Sequence, residues 1–526
     1  MNRRLQLTLV ALGLAGTLGA GLGTLLGDTG DDTRESDETL VSTDAGSVRG
    51  ATADGYRTFD AIPYAAPPVG DLRWRPPQPP APWTAPRDAT RPGPLCAQTG
   101  DHLGAGSLAE DCLYLNVTSP QQSAGNGRRP VLVWLHGGSF KDGGGHLYRA
   151  QRLAVQGGLV VVTVNYRLGA LGFLAHPLLG DGGNFGLADQ QAALHWVRRN
   201  ATAFGGDPHN VTLAGESAGA ISVCAHLAAP SSAGLFHRAI TQSAPCVSAP
   251  SAGTGTGNGP RPREQAEQEG RRLLDALNLG AAPTAARLRD PRLTPEMLLA
   301  AANTTGTTFG PVTGGDLLPT DPGQAIAGGR INRVPVLHGI NRDEQRLQVW
   351  GYETGRYQDP IPAAEYPAEI RRAFGTNASR VLRQYPLDRY ASASHALAAA
   401  LTDAELAAST VDTARALGRH VPTFTYEFAD DDAPWFRDFP RPYPMGAYHA
   451  AELPYLFDVG NTEPLTDAQR RLADRMIGQW SAFARDGDPG GWDSTGVRVL
   501  SPTDDATAPD DFAGRHHYSF WSTVRR

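Results

Sequence analysis

Lysine is almost missing from this chain. Of its 47 basic residues only Lys141 is a lysine, and the arginines that make up the rest are spread along the whole length. Scattered arginines form no binding stripe. With a net charge of −7 and a pI near 6.1, nucleic acid is excluded as the main partner. Cysteine is scarce as well, with only Cys96, Cys112, Cys224 and Cys246. None forms a C-x-x-C pair, and no His/Cys cluster has ligand spacing, so a structural zinc site is not expected. Internal repeats are absent. What remains, 40% hydrophobic and 19% charged residues, is the composition of a soluble globular protein.

The N-terminus departs from that average. Arg3 and Arg4 precede an uncharged apolar stretch from Leu5 to Leu26, and a polar, acidic run from Asp28 to Glu38 follows. A basic start and an apolar core are the marks of an export signal. The five glycines of the apolar stretch lower its helix propensity and favour a signal over a membrane span. Retention of the leader as a membrane tether is the alternative. No cysteine follows the segment, which excludes lipidation there. The expected organisation is a leader at 1–27, an acidic spacer at 28–40 and one catalytic domain at 41–526. In an exported chain an even number of cysteines suggests disulfides. Four cysteines allow three pairings and the sequence does not choose between them. Cys96–Cys112 and Cys224–Cys246 close the shortest loops and are favoured.

From Val41 to Leu115 the chain is rich in proline, glycine and aromatics, which predicts short antiparallel strands and long loops. Then come uninterrupted apolar runs: Val131 to Leu135, Leu159 to Val164 and Val211 to Ala214. Val334 to Leu337 and Thr423 to Tyr426 are further candidates. Strands of this type are buried on both faces. Helix-compatible stretches lie between them, Leu187 to Phe204 and Ala266 to Leu277 among them. The alternation predicts an α/β fold, a mostly parallel sheet covered on both sides. Ser248 to Pro262 reads as a Gly/Ser/Thr/Pro loop, and the region from Ala363 to Leu417 as helices bordering the sheet.

One of these strands runs into Gly215-Glu216-Ser217-Ala218-Gly219, and a helix-compatible segment from Ala218 to Ala228 follows. Strand, five-residue turn and helix make G-x-S-x-G a nucleophile elbow. The glycines are needed because a side chain at either flank would strike the neighbouring strand or helix. A serine hydroxyl also needs a base, a group to orient that base, and donors for the oxyanion. His136-Gly137-Gly138-Ser139, directly behind a strand, matches an oxyanion loop with serine in the last position. The backbone N–H groups of Gly137, Gly138 and Ser139, with that of Ala218, are its expected donors. The base is one of 14 histidines. Chain order places it after the serine and after the acid. His449, in a short glycine-containing loop, suits the role, with His395 and His420 as rivals. Asp343 and Glu344 are both candidates for the acid, and order alone does not separate them.

The chain resembles the type-B carboxylesterase family, which also holds cholinesterases and fungal lipases. The matching stretches run from about Phe59 to Trp492. They include Ile62-Pro63-Tyr64-Ala65, Pro67-Pro68-Val69-Gly70, Glu110-Asp111-Cys112-Leu113-Tyr114-Leu115-Asn116-Val117, Asn165-Tyr166-Arg167, Asn184-Phe185-Gly186-Leu187 and Phe204-Gly205-Gly206-Asp207-Pro208. The resemblance implies an α/β-hydrolase fold with an N-terminal antiparallel extension. It places the nucleophile on Ser217, the acid on Glu344 and the histidine on His449. It puts the family's first disulfide on Cys96 and Cys112, and it matches Glu216 and Ser243 to residues behind the triad. The implied activity is carboxylic-ester hydrolysis of a small molecule, with no metal or organic cofactor. A lipase, an amide or carbamate hydrolase, and a non-catalytic binding protein of the same fold are the alternatives. Three positions depart from the family: Gln345 replaces the glycine after the acid, Ala244 the glycine after Ser243, and Ser139 the third oxyanion-loop glycine.

Overall fold

The computed structural model describes residues 38–100, 105–121, 127–247, 259–279, 284–503 and 511–524. The expected leader, most of the acidic spacer, and residues 248–258 of the expected loop lie outside the described residues.

Apolar runs rich in Val, Ile and Leu build a ten-stranded sheet. Its strands are β1 (Ala51–Ala53), β2 (Tyr56–Pro63), β3 (Tyr114–Pro120), β4 (Arg129–Leu135), β5 (Val160–Val164), β6 (Gly206–Glu216), β7 (Arg238–Gln242), β8 (Val336–Asn341), β9 (Thr423–Phe428) and β10 (Val497–Leu500). Across the sheet they run β10-β9-β8-β7-β6-β4-β5-β3-β2-β1. The seven strands from β4 onward pair in parallel, whereas β1, β2 and β3 add to the edge in antiparallel fashion. β8 begins at Val336, two residues beyond the start of its apolar run, because Pro335 has no N–H to give to a ladder.

Successive side chains on a strand point to opposite faces, and here each face meets its own layer. Val131, Val133 and Leu135 of β4, with Val211 and Leu213 of β6, pack into one core with α1 (Phe185–Asn200) and α2 (Ala218–Ala228). Leu132, Trp134 and Ala214 turn to the other face, against Leu472, Met476, Ile477 and Trp480 of α3 (Asp467–Asp486). α3 opens with a capping box between Thr466 and Gln469 and stops at Gly487, which takes a left-handed conformation (φ 81°). A third cluster gathers the helices from Arg346 to Leu401 around Tyr366, Tyr385 and Trp521. The chain from Glu38 onward forms one compact unit.

Cys96 is bonded to Cys112 and Cys224 to Cys246. Among the described residues no helix is long and apolar enough to cross a membrane.

Candidate active site

β6 ends in the elbow. Ser217 sits between β6 and α2 with φ 54° and ψ −121°, a conformation that costs a non-glycine residue free energy. Neighbours hold it there: its N–H donates to Gln242 O of β7 at 2.9 Å, and its carbonyl accepts from Ile221 N–H. The flanking glycines are required by contact. A Cβ on Gly219 would lie 1.9 Å from Leu135 O, and one on Gly215 would lie 2.6 Å from the Gly219 carbonyl carbon.

The structure brings His449 and Glu344 to this serine. His449 Nε2 is 2.9 Å from Ser217 Oγ, and its Nδ1 is 2.5 Å from Glu344 Oε2. Glu344 follows the end of β8, where Asn341 N–H donates to its Oε1 at 2.8 Å. Asp343, the other candidate acid, faces away from the histidine. Its carboxylate accepts from Ala447 N–H at 3.1 Å and pairs with Arg346 at 2.6 Å, which ties the loop carrying His449 to the loop carrying Glu344. The rival histidines have other surroundings. His395 meets Ser392, the N-cap of its own helix, and reaches Pro444 O, while the His420 ring lies against Gly329.

Gly137 passes over the serine: a Cβ there would be 2.6 Å from Glu216 Oε2 and 3.2 Å from Ser217 Cβ. Gly138 (φ 98°) and Ser139 (φ 55°) turn the loop sharply, and Lys141 N–H and Asp142 N–H close it on Gly138 O. Ser139 therefore takes a glycine-like conformation with a side chain present. Among the described residues the N–H groups of Gly137, Gly138, Ser139 and Ala218 have no hydrogen-bond acceptor. His136, at the head of the loop, is structural. Its Nδ1 donates to Gly137 O at 2.7 Å, its ring stacks on Tyr166, and burial pushes it down to about 4.

Glu216 Oε1 lies 3.2 Å from His449 Nε2. Burial, opposed by the histidine, raises the Glu216 carboxyl to about 8. For His449, burial acts downward, but the carboxylates of Glu216 and Glu344 outweigh it and favour the imidazolium. Ser243 (φ 57°) follows the end of β7, its N–H on Gly339 O and its hydroxyl without a partner among the described residues.

Sequence reasoning missed a buried polar chain behind the acid. Trp480 Nε1–H donates to Gln242 Oε1 at 3.0 Å, and Gln242 Nε2 donates to Glu452 Oε1 at 3.0 Å. Asn341 Nδ2 donates to Glu452 Oε2 at 2.6 Å and to Tyr448 O at 2.8 Å. The same Asn341 holds Glu344 through its backbone, so the chain fixes the acid from behind. Glu452 is the only one of these with a sequence signal, its charge in an otherwise apolar stretch after His449. Gln345, where the family has glycine, anchors the acid loop. Its N–H donates to Thr402 Oγ1 and its Nε2 to Glu405 Oε2, both at 3.0 Å. Among the described residues no group of His, Cys, Asp and Glu is arranged to hold a metal ion.

The sequence and the fold have close counterparts. A sequence model described as "Carboxylesterase family" matches residues 37–516. The para-nitrobenzyl esterase of Bacillus subtilis is 35% identical over 467 residues, 86% of this chain and 90% of that protein. The fumonisin B1 esterase of Sphingopyxis macrogoltabida is 36% identical over 476 residues, covering 85% and 82%. A crystal structure of a Geobacillus stearothermophilus carboxylesterase superposes with a TM-score of 0.74 at 32% identity, covering 92% of this chain and 100% of the other.

Proposed function

The chain belongs to the carboxylesterase family and is an ester hydrolase, and from that premise we propose that it works through an acyl-enzyme on Ser217. His449 Nε2 takes the hydroxyl proton as Ser217 Oγ attacks the ester carbonyl. Glu344 holds Nδ1–H, which fixes the tautomer that leaves Nε2 free to accept, and it stabilises the imidazolium that forms. The N–H groups of Gly137, Gly138, Ser139 and Ala218 receive the oxyanion. Losing one such donor typically costs about 10²–10³ in rate. The imidazolium then protonates the leaving alcohol, and water, activated by the same histidine, releases the acid. Glu216 and Ser243 support the triad from behind.

The observation that carries this reading is the unbroken path from Ser217 Oγ through His449 to Glu344, at 2.9 and 2.5 Å. Substrates are small-molecule esters, in keeping with the esterase relatives. The two disulfides support export of a single catalytic domain from residue 41 onward. Hydrolysis of p-nitrophenyl esters of increasing acyl length, with Ser217→Ala in parallel, tests the mechanism. The variant should lose about 10⁴-fold or more in kcat with its melting temperature kept. Near-wild-type release by Ser217→Ala would reject Ser217 as the nucleophile. The chain-length profile separates a short-acyl esterase from a lipase.

A further inference from the structure

Lys141 is the single lysine in a chain whose other basic residues are all arginine. Its place is specific. It follows the oxyanion loop, next but one to Ser139. Successive Cα atoms are 3.8 Å apart, so its Cα is within about 8 Å of that of Ser139. The loop is braced on both sides: Lys141 N–H donates to Gly138 O at 2.9 Å, and Gly169 N–H to Phe140 O at 2.7 Å.

The half-buried Lys141 lines a cavity between the helix Gly169–Phe173 and the helix Pro295–Thr305. The cavity is partly open to solvent. Its walls are mainly apolar, with Leu168, Ala170, Leu171, Leu298 and Phe309 among them, and Lys141 is its only charged lining residue. Among the described residues the ammonium has no ion pair and no hydrogen bond. Asp142, the adjacent carboxylate, is engaged elsewhere and accepts from Gly100 N–H at 2.9 Å. An ammonium is a compact point charge, and its attraction for an anion grows where apolar walls exclude water.

We propose that this cavity is a subsite for substrates carrying a carboxylate, which Lys141 pairs while the apolar walls hold the hydrocarbon between that carboxylate and the scissile ester. The inference rests on the serine-hydrolase reading above and narrows its substrate class to esters with a free carboxylate in the acyl portion.

The test uses p-nitrophenyl half-esters of linear dicarboxylic acids from adipic to sebacic, each paired with the neutral linear ester of equal acyl length. The readout is the ratio of kcat/KM for the half-ester to that for its neutral partner. In the wild type the ratio should exceed one at an optimal length and fall as salt is raised. Lys141→Met should lower the ratio about tenfold, mainly through KM, and Lys141→Arg should restore part of it. A wild-type ratio at or below one at every length overturns the subsite. So does an unchanged ratio in Lys141→Met. Failure of the underlying reading would look different: p-nitrophenol release from the neutral esters would persist in Ser217→Ala.

Discussion

Glu216 lies within reach of the proton that moves during catalysis, 3.2 Å from His449 Nε2, and its burial raises it to about 8. A carboxylate beside Nε2 stabilises the imidazolium, and a protonated histidine cannot accept the Ser217 proton. kcat/KM should therefore rise with pH as His449 loses its proton, and in Glu216→Gln, isosteric and always neutral, that rise should come at a lower pH. A pH–rate series on both proteins decides it, and a rise at the same pH in both would mean that Glu216 does not act on His449. At this scale the legible residues are those fixed by local sterics. The elbow and its glycines could be read because the collision with Leu135 O follows from a five-residue turn. The partners of Ser217 could not be read from spacing. His449 is 232 residues from Ser217 and 105 from Glu344, so only the folded sheet brings them together. The resemblance to a family, not periodicity, separated Glu344 from Asp343.

The buried strands β4, β5, β6, β8 and β9 announced themselves as apolar runs. β7 and β10 did not, because β7 opens on Arg238 and ends in polar Thr241 and Gln242 while Arg498 interrupts β10, and their identity as strands comes from neighbours in the sheet. The irregular element at Thr402–Ala407, a π-helical turn, had no sequence signal. It nevertheless links two regions. On one side Thr402 and Glu405 hold Gln345 beside the acid. On the other, Asp403 meets His516, near the end of the chain, at 2.5 Å. His516 also contacts Glu427 of β9 at 2.7 Å, and Arg342 and Arg515 pair with that same glutamate. Burial alone would push His516 down, yet the two carboxylates raise it to about 9. A histidine raised in the folded state gives stability that is complete below its unfolded value near 6.5 and lost as pH rises through about 9. His516→Ala should be destabilised by about 3–5 kcal/mol at pH 6, because it removes the imidazolium that the buried Asp403 and Glu427 carboxylates share. The gap between wild type and variant should narrow from pH 6.5 to 9. Denaturant midpoints across that range check it, and a gap that stays constant would mean the imidazole is neutral in the fold.

For the whole molecule, the sheet sets the distances and the disulfides pin what the sheet leaves loose. Cys224 lies on α2, the helix that begins at Ala218, and Cys246 follows β7, whose last residue, Gln242, receives the Ser217 N–H. The bond thus fastens together the two elements that hold the strained serine. Cys96–Cys112 closes a loop elsewhere, against the apolar cavity beside Lys141, as Ala97 lines that cavity. Both bonds span short separations, 16 and 22 residues, so each should stabilise by about 3 kcal/mol through the unfolded chain. Their effects on activity should differ. Cys224→Ser with Cys246→Ser should lower kcat on neutral p-nitrophenyl esters, because the elbow loses a brace and Ser217 relaxes from its positive φ. Cys96→Ser with Cys112→Ser should lower stability by a similar amount and act mainly on KM. Denaturant midpoints and steady-state kinetics on the two double variants measure both quantities at once. Equal losses of kcat in the two would mean that the second bond is a general staple and has no particular hold on the nucleophile.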